Sequence, residues 1–480
     1  MAPSSRTSTA GAGWEACSGC GAWKTDVPDD AKPLSWLRPA TLWRSRNDVI
    51  ARRFHDPVDA ARMRWVRLAR AQGCDPDFVV ERASGDSSFL VIGDPGEGDD
   101  SQYAVVPGLL SQAEGVDFAV ICSDLIYPTG DIGDYEGRFY NPYRKLHVPI
   151  FGVPGNHDWY DGLHGFMHHI CGLDDPDAPL DFGSGVRRWI ASRTWRHSVR
   201  PADDALAAMR GDREPCGQPG PYVAIDAGPL RIVTIDTGIQ GGIDAEQAAW
   251  LERVSLADPR PKVLLTGKPI YVDGEYKAQQ AAVDRIVTDP RANYVAAIGG
   301  DIHNYQRYPV KLPDGRTLQY VVSGGGGAFM HATHQIPVVD LPGVKERDFR
   351  CYPLRGDSLA RYSQLYAKKL RQKWLELSPD EASSYMAGQL ELDTTRPGKP
   401  VPLSRRARLA GTAIQPLPAG RGFQRFVSEA FDWNDPPMFK SFLRIDATAS
   451  ELRVRCFGVS GCLESEHAPP VEDDFTIPLN

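Results

Sequence analysis

The stretch Gly155–Asp158, with the sequence GNHD, follows a short apolar run, Val148–Val153. An apolar run of this length that ends in a glycine-containing polar cluster predicts a buried β-strand that surfaces at its carboxyl end. In open α/β sheets, ligands bind at the carboxyl ends of the strands. An amide, an imidazole and a carboxylate at such a point therefore predict an α/β fold with a functional site at this edge of the sheet.

Three more polar clusters end apolar runs in the same way. Asp124 follows Asp94 by 30 residues and Asn156 follows Asp124 by 32, which leaves room for one strand–helix–strand unit each. Carboxylate, amide, phenol and imidazole groups that converge at one edge can hold divalent metals. The clusters are Gly93–Gly96 after Ser88–Ile92, Ser123–Tyr127 after Asp117–Cys122, and Gly300–His303 after Tyr294–Ile298.

In order and spacing, these clusters resemble the calcineurin-like metallophosphoesterases. They are closest to the purple acid phosphatase pattern of GDxG, GDxxY, GNH[DE], VxxH and GHxH. The resemblance covers about residues 85–330, and GNHD followed by an aromatic residue is its most specific element. It implies a layered α/β/β/α sandwich with helical insertions, and hydrolysis of a phosphate monoester or diester by a metal-bound hydroxide.

The resemblance also implies which residues hold metal. Asp94, Asp124, Tyr127 and His303 match the ligands of the first metal, and Asp124 matches the carboxylate that bridges two metals. A tyrosinate ligand favours ferric iron, but iron, manganese, zinc and magnesium all stay open. The alternative for Tyr127 is a core aromatic residue that closes the end of its strand. Asn156 matches a ligand of the second metal, which the family completes with two histidines.

At the second metal, the sequence departs from the family pattern. Gly267 stands where VxxH has its histidine, and Asp301 replaces the first histidine of GHxH. Both changes affect one subsite, which indicates a remodelled site, because random decay would remove ligands from both subsites. We predict that the Lys268 ammonium occupies the space of the second metal and pairs with Asp301. The alternative is weak binding of Mn²⁺ or Mg²⁺ by Asp124, Asn156 and Asp301. Either way, one metal is bound tightly and the second weakly or not at all.

Two residues of the GNHD stretch are predicted to act on the substrate. In the family, the histidine of this motif, here His157, contacts substrate and not metal. An imidazole titrates near neutral pH and can therefore protonate the leaving oxygen. Asp158 is predicted to orient His157 through a ring N–H, and Lys268 completes the predicted catalytic set. The alternative for His157 is a structural histidine in a turn.

Other polar residues lie near the predicted site in sequence. Asp236 ends another strand and resembles a family residue that supports the site from behind. Gly324–Gly327 permits close approach of the backbone to a ligand, and His331 and His334 follow it. These two histidines either line the rim of the pocket or stabilise a local turn.

Charge and cysteine content narrow the class of protein. The chain has 480 residues and a net charge of −8, so its charge predicts neither nucleic acid nor membrane as a partner. It has neither a long apolar run nor the apolar core of a secretory signal, which predicts a cytoplasmic protein.

Nine cysteines, an odd number, predict free thiols and no disulfide framework. The pair Cys17 and Cys20 lacks the second CxxC that a zinc site needs.

Four segments are predicted along the chain. Residues 1–50 contain four tryptophans, which predicts that part of the leader packs on the body, because exposed indoles are unfavourable. Its helix at Pro57–Gln72 carries arginines that are predicted to face solvent, Arg62 among them.

Farther along the chain, Ser358–Leu377 and Pro379–Leu392 predict a helical hairpin with Ser378 as a cap. The segments are a leader with an N-terminal helix (1–84), a catalytic core (85–330, with an insertion at 159–220), a helical insertion (331–435) and C-terminal strands that return to the core (436–480).

The predicted function is hydrolysis of a phosphate ester on a small molecule or another phosphorylated substrate. The main alternative is a non-catalytic phospho-ligand-binding protein on the same scaffold. A protein-interaction platform built on residues 331–435 is a third possibility. The sequence decides neither the natural substrate nor the oligomeric state.

Overall fold

The computed structural model describes residues 14, 17, 21–29, 31, 34–175, 180–392, 400–418 and 435–479. Its helices are α1 (Pro39–Arg44), α2 (Asn47–Arg53), α3 (Val58–Ala71), α4 (Asp100–Ser111), α5 (His164–His169), α6 (Val186–Thr194), α7 (Asp203–Arg210), α8 (Ala245–Leu256), α9 (Ala281–Val287), α10 (Arg355–Leu370), α11 (Pro379–Leu390) and α12 (Arg405–Ile414). Its strands are β1 (Val79–Ala83), β2 (Ser87–Gly93), β3 (Phe118–Cys122), β4 (Ile150–Val153), β5 (Ala224–Ala227), β6 (Leu230–Ile235), β7 (Lys262–Thr266), β8 (Tyr271–Val272), β9 (Glu275–Tyr276), β10 (Tyr294–Gly299), β11 (Tyr305–Lys311), β12 (Thr317–Ser323), β13 (Asp340–Leu341), β14 (Val344–Lys345), β15 (Arg350–Tyr352), β16 (Lys440–Ala447), β17 (Glu451–Val459) and β18 (Val471–Pro478).

In the described part of the chain, two large sheets form the core. The eight-stranded sheet has the order β1-β5-β6-β7-β10-β12-β11-β15, and the six-stranded sheet has the order β18-β17-β16-β2-β3-β4. The sheets contact each other through β12, β2 and β16, while α4 packs on β16 and β17, and α8 packs on β6. The predicted α/β/β/α sandwich with helical insertions is therefore confirmed.

The strands that lead into the predicted site are parallel and buried. β2, β3 and β4 run parallel, and their apolar sequences are typical of strands that are covered on both faces. α4 makes the predicted helical crossover between β2 and β3. Between β3 and β4, the expected helix is replaced by a 3₁₀ turn at Ile132–Asp134 and a π turn at Glu136–Tyr140. Glycines and prolines recur every few residues there, and they interrupt a regular helix.

The C-terminal strands belong to the same sheet as β2. β16 pairs antiparallel with β2, with Leu443 opposite Val91, and β17 and β18 continue the sheet. In the segment before them, α10 and α11 pack as the predicted hairpin. Ser378 and Glu381 form the predicted capping box at the start of α11. The division of the chain into four segments stays a prediction.

The leader packs on the body, as its tryptophans predict. Trp14, Trp23 and Trp36 are buried, whereas Trp43 is 69% exposed. The indole N–H of Trp23 donates to the carbonyl of Gly461 at 3.2 Å. The amino-terminal end of the described chain is thereby attached to the loop that connects β17 and β18.

A disulfide bond joins the same two regions. Cys17 is bonded to Cys462, so the prediction of free thiols is wrong for this pair. Spacing could not predict the bond, because the partners are 445 residues apart, and Cys20 lies outside the described residues. Disulfides persist in oxidising compartments, so this bond gives no support to the predicted cytoplasmic location. No helix within the described residues is long and apolar enough to cross a membrane.

Arg62 is buried, which corrects the predicted solvated arginine face of α3. Its side chain lies 2.7 Å from the carboxylate of Asp236 and 2.6 Å from that of Asp244, and the residue is 1% exposed. A buried guanidinium needs such partners to offset its desolvation. Asp236 also accepts from the indole N–H of Trp159 at 2.9 Å. This ion pair therefore connects α3 to the residue that follows the GNHD stretch.

Replacing Arg62 with Met should lower the free energy of unfolding by ~3–5 kcal/mol, the usual effect of removing one partner of a buried ion pair. Asp236 is fully buried and would lose its cation. Urea denaturation measures the change, and Arg67→Met on the exposed side of α3 is the matched control. Equal small losses for both variants would show that α3 is not anchored through Arg62.

Candidate functional site

The predicted site residues meet where the two sheets present the carboxyl ends of their parallel strands. Asp94 follows β2 and Asp301 follows β10, and the backbone N–H of Asp301 donates to a carboxylate oxygen of Asp94 at 2.9 Å. The two sheets therefore contribute to one site. The other strand ends carry Asp124 after β3, Asn156 after β4 and Lys268 after β7.

Four residues of this edge have strained backbone. Asp94, Ser123, Asp124 and Asp301 have φ values of 52°, 80°, 37° and 65°. Residues other than glycine rarely adopt this left-handed conformation, and it costs ~1–3 kcal/mol at each position. Such strain persists only where the surrounding structure imposes it, and it concentrates at functional sites. Here, three of the four strained residues are the aspartates at the centre of the site.

Three side-chain atoms surround the phenol oxygen of Tyr127. That oxygen lies 3.0 Å from Asp124 Oδ2, 3.4 Å from Asp94 Oδ1 and 3.1 Å from His303 Nε2. His303 Nδ1 lies 2.7 Å from the carbonyl of Phe329. Because a carbonyl only accepts, Nδ1 carries the proton of the neutral ring, and the lone pair of Nε2 faces the cluster.

This donor set fits a metal ion. Ligands held ~2.1 Å from one metal at near right angles lie ~3 Å apart, which is the spacing around Tyr127. Burial raises the pKa of Asp94 well above its usual value, and the neighbouring carboxylates of Asp124 and Asp301 raise it further. A cation bound among these groups would offset that repulsion. Within the described residues, no three His, Cys, Asp or Glu side chains form a metal cluster on their own.

Lys268 fills the neighbouring subsite. Its ammonium lies 2.5 Å from Asp301 Oδ1 and 3.2 Å from Asn156 Oδ1. The contact with Asp301 is the one predicted from the sequence. Asn156 is held in place by Tyr160, whose hydroxyl accepts from Asn156 Nδ2 at 2.8 Å. Two of the three side chains expected to bind a second metal, Asp301 and Asn156, therefore contact the lysine, and they do not fit a metal there while Lys268 is in this position.

The backbone at Gly267 has no room for the histidine that the family pattern places there. A Cβ atom at this position would lie 2.8 Å from the carbonyl oxygen of Pro154 and 2.9 Å from Thr237 Oγ1. Those distances are shorter than normal contacts between carbon and oxygen. Gly267 lies too close to the backbone of Pro154, the residue before the GNHD stretch, to carry a histidine side chain. A single substitution to histidine at position 267 would therefore not restore the family pattern.

The surroundings of His157 agree in part with the prediction. Its Nδ1 lies 2.7 Å from the carbonyl of Pro128, and its Nε2 lies 4.0 Å from Asp124 Oδ2. The predicted bond from a ring N–H to Asp158 is wrong, because Nδ1 bonds to Pro128. The Asp158 carboxylate instead accepts backbone N–H groups of Leu125 at 3.0 Å and Gly155 at 2.9 Å. Asp158 thus joins the two loops that carry Asp124 and His157.

Residues 87–305 match the family model described as calcineurin-like phosphoesterase. This part of the chain is a calcineurin-like phosphoesterase domain. Among curated proteins, none matches the sequence significantly.

Several solved structures resemble this chain over most of its length. A purple acid phosphatase from yellow lupin has 12% identity and a TM-score of 0.38, with 83% of this chain and 55% of that chain covered. GAP50, the anchor in the inner membrane complex of Plasmodium, has 11% identity and a TM-score of 0.38, with 83% and 89% covered. PhoD has 10% identity and a TM-score of 0.38, with 84% and 71% covered. The chain spans about half the length of the lupin phosphatase.

Trp36 of the leader covers the phosphoesterase site, which the sequence did not predict. Its ring centroid lies 5.2 Å from that of His157 and 6.2 Å from that of Tyr127, and it is 1% exposed. The edge-to-face arrangement with both rings is a favourable one. The sequence indicated only that a tryptophan is unfavourable in water and should be buried. It did not indicate which residues Trp36 would contact.

The histidines after the glycine run of the phosphoesterase domain have different surroundings. His331 stacks on His303 with ring centroids 4.3 Å apart, and its Nδ1 accepts the backbone N–H of His303 at 3.0 Å. His334 is buried between Ser358 Oγ and the carbonyl of Leu417, each 2.8 Å away. His331 therefore lies at the rim of the site, whereas His334 stabilises a local structure. Asp236 lies behind the site, bonded to Trp159 and Arg62.

Proposed function

We propose that the protein hydrolyses phosphate esters with one tightly bound metal ion and a lysine in place of the second. The convergence of Asp94, Asp124 and His303 on the Tyr127 hydroxyl is the observation that supports this most strongly. Iron, manganese, zinc or magnesium would bind there. When bound, the metal supplies Lewis acidity, which reduces charge on phosphoryl oxygens and makes water more acidic.

In this proposal, Lys268 binds the phosphoryl group. An ammonium has three N–H donors, and two of them are directed at Asp301 and Asn156. The third is available to a phosphoryl oxygen, which a lysine binds as a point charge. Asp301 holds the ammonium in place. The lysine carries one charge where a divalent metal carries two, so turnover should be slower than in a two-metal enzyme.

His157 transfers a proton to the leaving oxygen. Its bond to Pro128 fixes the ring orientation, so that Nε2 points to the side of Asp124 where the ester would lie. Trp36 and Tyr160 hold the ring from two more sides, with centroids 5.2 and 4.8 Å away. A protonated Nε2 can donate to an alkoxide as the P–O bond breaks.

Replacing His157 with Ala should lower kcat by ~10²–10⁴, the usual contribution of general acid–base catalysis, with unchanged metal content. Esters with good leaving groups, such as p-nitrophenyl phosphate, should lose less than alkyl phosphates. His168→Ala is the matched control, because His168, which lies on α5, bonds to Asp174 and not to the site. If metal were lost in His157→Ala, His157 would be a ligand and its proposed role would be wrong.

Trp36 is a positioning residue in this proposal. Replacing it with Ala should lower kcat by ~10–100-fold, because the His157 ring loses a wall and small misplacements of catalytic groups are costly. Trp36→Phe, which keeps an aromatic edge, should restore most of the rate. Trp43→Ala, in the exposed part of the leader, should leave kcat unchanged with a soluble ester. Equal kcat for Trp36→Ala and wild type would contradict the assignment.

A second candidate is binding of a phospho-ligand without turnover, which the ion pair of Lys268 and Asp301 favours. Hydrolysis of p-nitrophenyl phosphate and of bis(p-nitrophenyl) phosphate, each with added Mn²⁺, Mg²⁺, Zn²⁺ and iron, separates the two. Turnover that Asp124→Asn removes supports the hydrolase. Tight calorimetric binding of the esters, with no turnover under any metal, supports the binding protein.

A further inference from the structure

One surface of the protein carries an excess of arginine. Residues 37–54 and 182–199 contain nine arginines and no lysine, and Asp48 is their one acidic residue. The whole chain has a net charge of −8. These two segments, which we call the Arg–Trp face, are therefore opposite in sign to the rest of the molecule.

The two segments form one continuous surface. α2 packs on α6. Arg46 Nε donates to the carbonyl of Thr194 at 3.0 Å, and the backbone N–H of Arg196 donates to Asn47 Oδ1 at 2.8 Å. The end of α1, the start of α2 and the end of α6 are thereby joined side by side.

Only part of the positive charge is neutralised internally. The carboxylate of Asp131 lies 2.5 Å from both Arg44 and Arg196, and Arg52 pairs with Asp48 at 2.8 Å. The remaining exposed arginines of the face are Arg38, Arg53, Arg187, Arg188 and Arg193.

The same surface exposes large apolar side chains. Val186 and Trp189 lie one turn apart on α6 and therefore on the same side of that helix. Clustered apolar exposure of this kind is unfavourable in water and usually marks an interaction site. The side chains and their exposed fractions are Leu37 (52%), Trp43 (69%), Val49 (51%), Phe54 (37%), Val186 (76%), Trp189 (60%) and Val199 (87%).

We propose that the Arg–Trp face docks on the surface of an anionic phospholipid membrane. Tryptophan is enriched at the membrane–water interface, where its ring meets acyl chains and its N–H meets water. Each arginine near an anionic leaflet adds attraction, and exposed valines and leucine add apolar area that inserts. A nucleic acid would attract the arginines and stack on the indoles, but it offers nothing to Leu37, Val49, Val186 and Val199. A lipid surface can interact with the arginines, the tryptophans and the aliphatic side chains.

The face adjoins the phosphoesterase site. Leu37 directly follows Trp36, whose ring packs on His157. Asn47 at the start of α2 donates to the carbonyl of Tyr160 at 2.7 Å, and the Tyr160 hydroxyl accepts from Asn156. A docked membrane would therefore lie next to the side of the site that Trp36 covers. The docking itself does not depend on hydrolysis and can be tested without turnover.

Sedimentation of the full chain with vesicles tests the proposal. The protein should bind vesicles of phosphatidylcholine with phosphatidylserine (7:3) at least tenfold more tightly than phosphatidylcholine alone. Raising the salt from 0.05 to 0.5 M NaCl should remove most of that preference, because screening weakens charge attraction. Trp43→Ala with Trp189→Ala should weaken binding at least tenfold, and Arg187→Glu with Arg193→Glu should abolish the preference for phosphatidylserine.

Matched controls lie elsewhere on the surface. Arg291→Glu with Arg347→Glu makes the same charge change at arginines that are 71% and 82% exposed, and Trp374→Ala removes another exposed indole. These controls should bind as wild type does, and thermal unfolding should be unchanged in all variants. Equal binding to both vesicle types, equal loss in the controls, or binding of a single-stranded oligonucleotide in preference to vesicles would each overturn the proposal.

Discussion

Asp124→Asn is expected to abolish phosphoester hydrolysis and to remove most of the bound metal while the fold is retained. Asp124 is the carboxylate that the resemblance places between the two metal positions. Its Oδ2 lies 3.0 Å from the Tyr127 hydroxyl, and its Oδ1 accepts the backbone N–H of His157 at 2.8 Å. An asparagine keeps the size and the Oδ1 contact but loses the negative charge. Losing one electrostatic contact of this kind costs ~10²–10³ in rate, and loss of the metal would add to that.

Metal content and turnover of Asp124→Asn should be compared with those of Asp161→Asn. Asp161 is also buried, 3% exposed, but its carboxylate accepts the backbone N–H of Gly165 at 3.0 Å. The control should keep its metal and its activity. Activity of Asp124→Asn within a few-fold of wild type would refute the site assignment.

Lys268→Met should lower turnover by ~10²–10³, because it removes the charge proposed to bind the phosphoryl group. The tightly bound metal should stay, since the donor set around Tyr127 does not include Lys268. The oxygens of Asp301 and Asn156 lose their cation in this variant. Millimolar Mn²⁺, a cation that prefers oxygen ligands, should therefore restore part of the rate.

Lys262→Met is the matched control for removing a buried lysine from β7. Lys262 lies at the opposite end of that strand, where it donates to the carbonyls of Asp258 and Arg260 at 2.5 and 2.8 Å. Its loss should reduce stability and leave turnover per folded molecule unchanged. Unchanged kinetics in Lys268→Met, or equal activation of wild type by Mn²⁺, would contradict the role given to Lys268.

The sequence predicted the strand ends and the groups that they carry, because local pattern decides both. An apolar run that ends in a glycine-containing polar cluster gives a buried strand with functional groups at its carboxyl end. Asp94, Asp124, Tyr127 and His303 therefore lie where the motifs indicated. The contact between Lys268 and Asp301 could also be predicted, because Lys268 is next to one replaced histidine position and the oppositely charged Asp301 occupies the other.

Contacts between remote segments could not be predicted from local pattern. Trp36 reaches His157 from the leader, and Cys17 is bonded to Cys462. Arg62 is on a helix whose charge pattern is that of a solvent-exposed surface, yet carboxylates after β6 and before α8 surround it. The Asp158 carboxylate binds backbone N–H groups that only the folded loops bring together. Each of these depends on how distant elements pack.

Net charge does not describe the Arg–Trp face, because it sums over the whole chain. A total of −8 predicts no attraction to an anionic surface. Membrane attraction decays within a Debye length, ~10 Å at 0.1 M salt, so the local surface decides it. The arginines of α2 and α6 are far apart in sequence and meet only in the fold.

The most direct test of the central claim is the metal content of the purified chain by mass spectrometry. The chain should be reconstituted separately with iron, manganese, zinc and magnesium and then desalted. We predict one metal ion per chain for the preferred element, held by the donor set around Tyr127, with almost none retained by Asp124→Asn. Two metal ions per chain in wild type, or equal content in Asp124→Asn, would contradict a one-metal site with Lys268 in the second position.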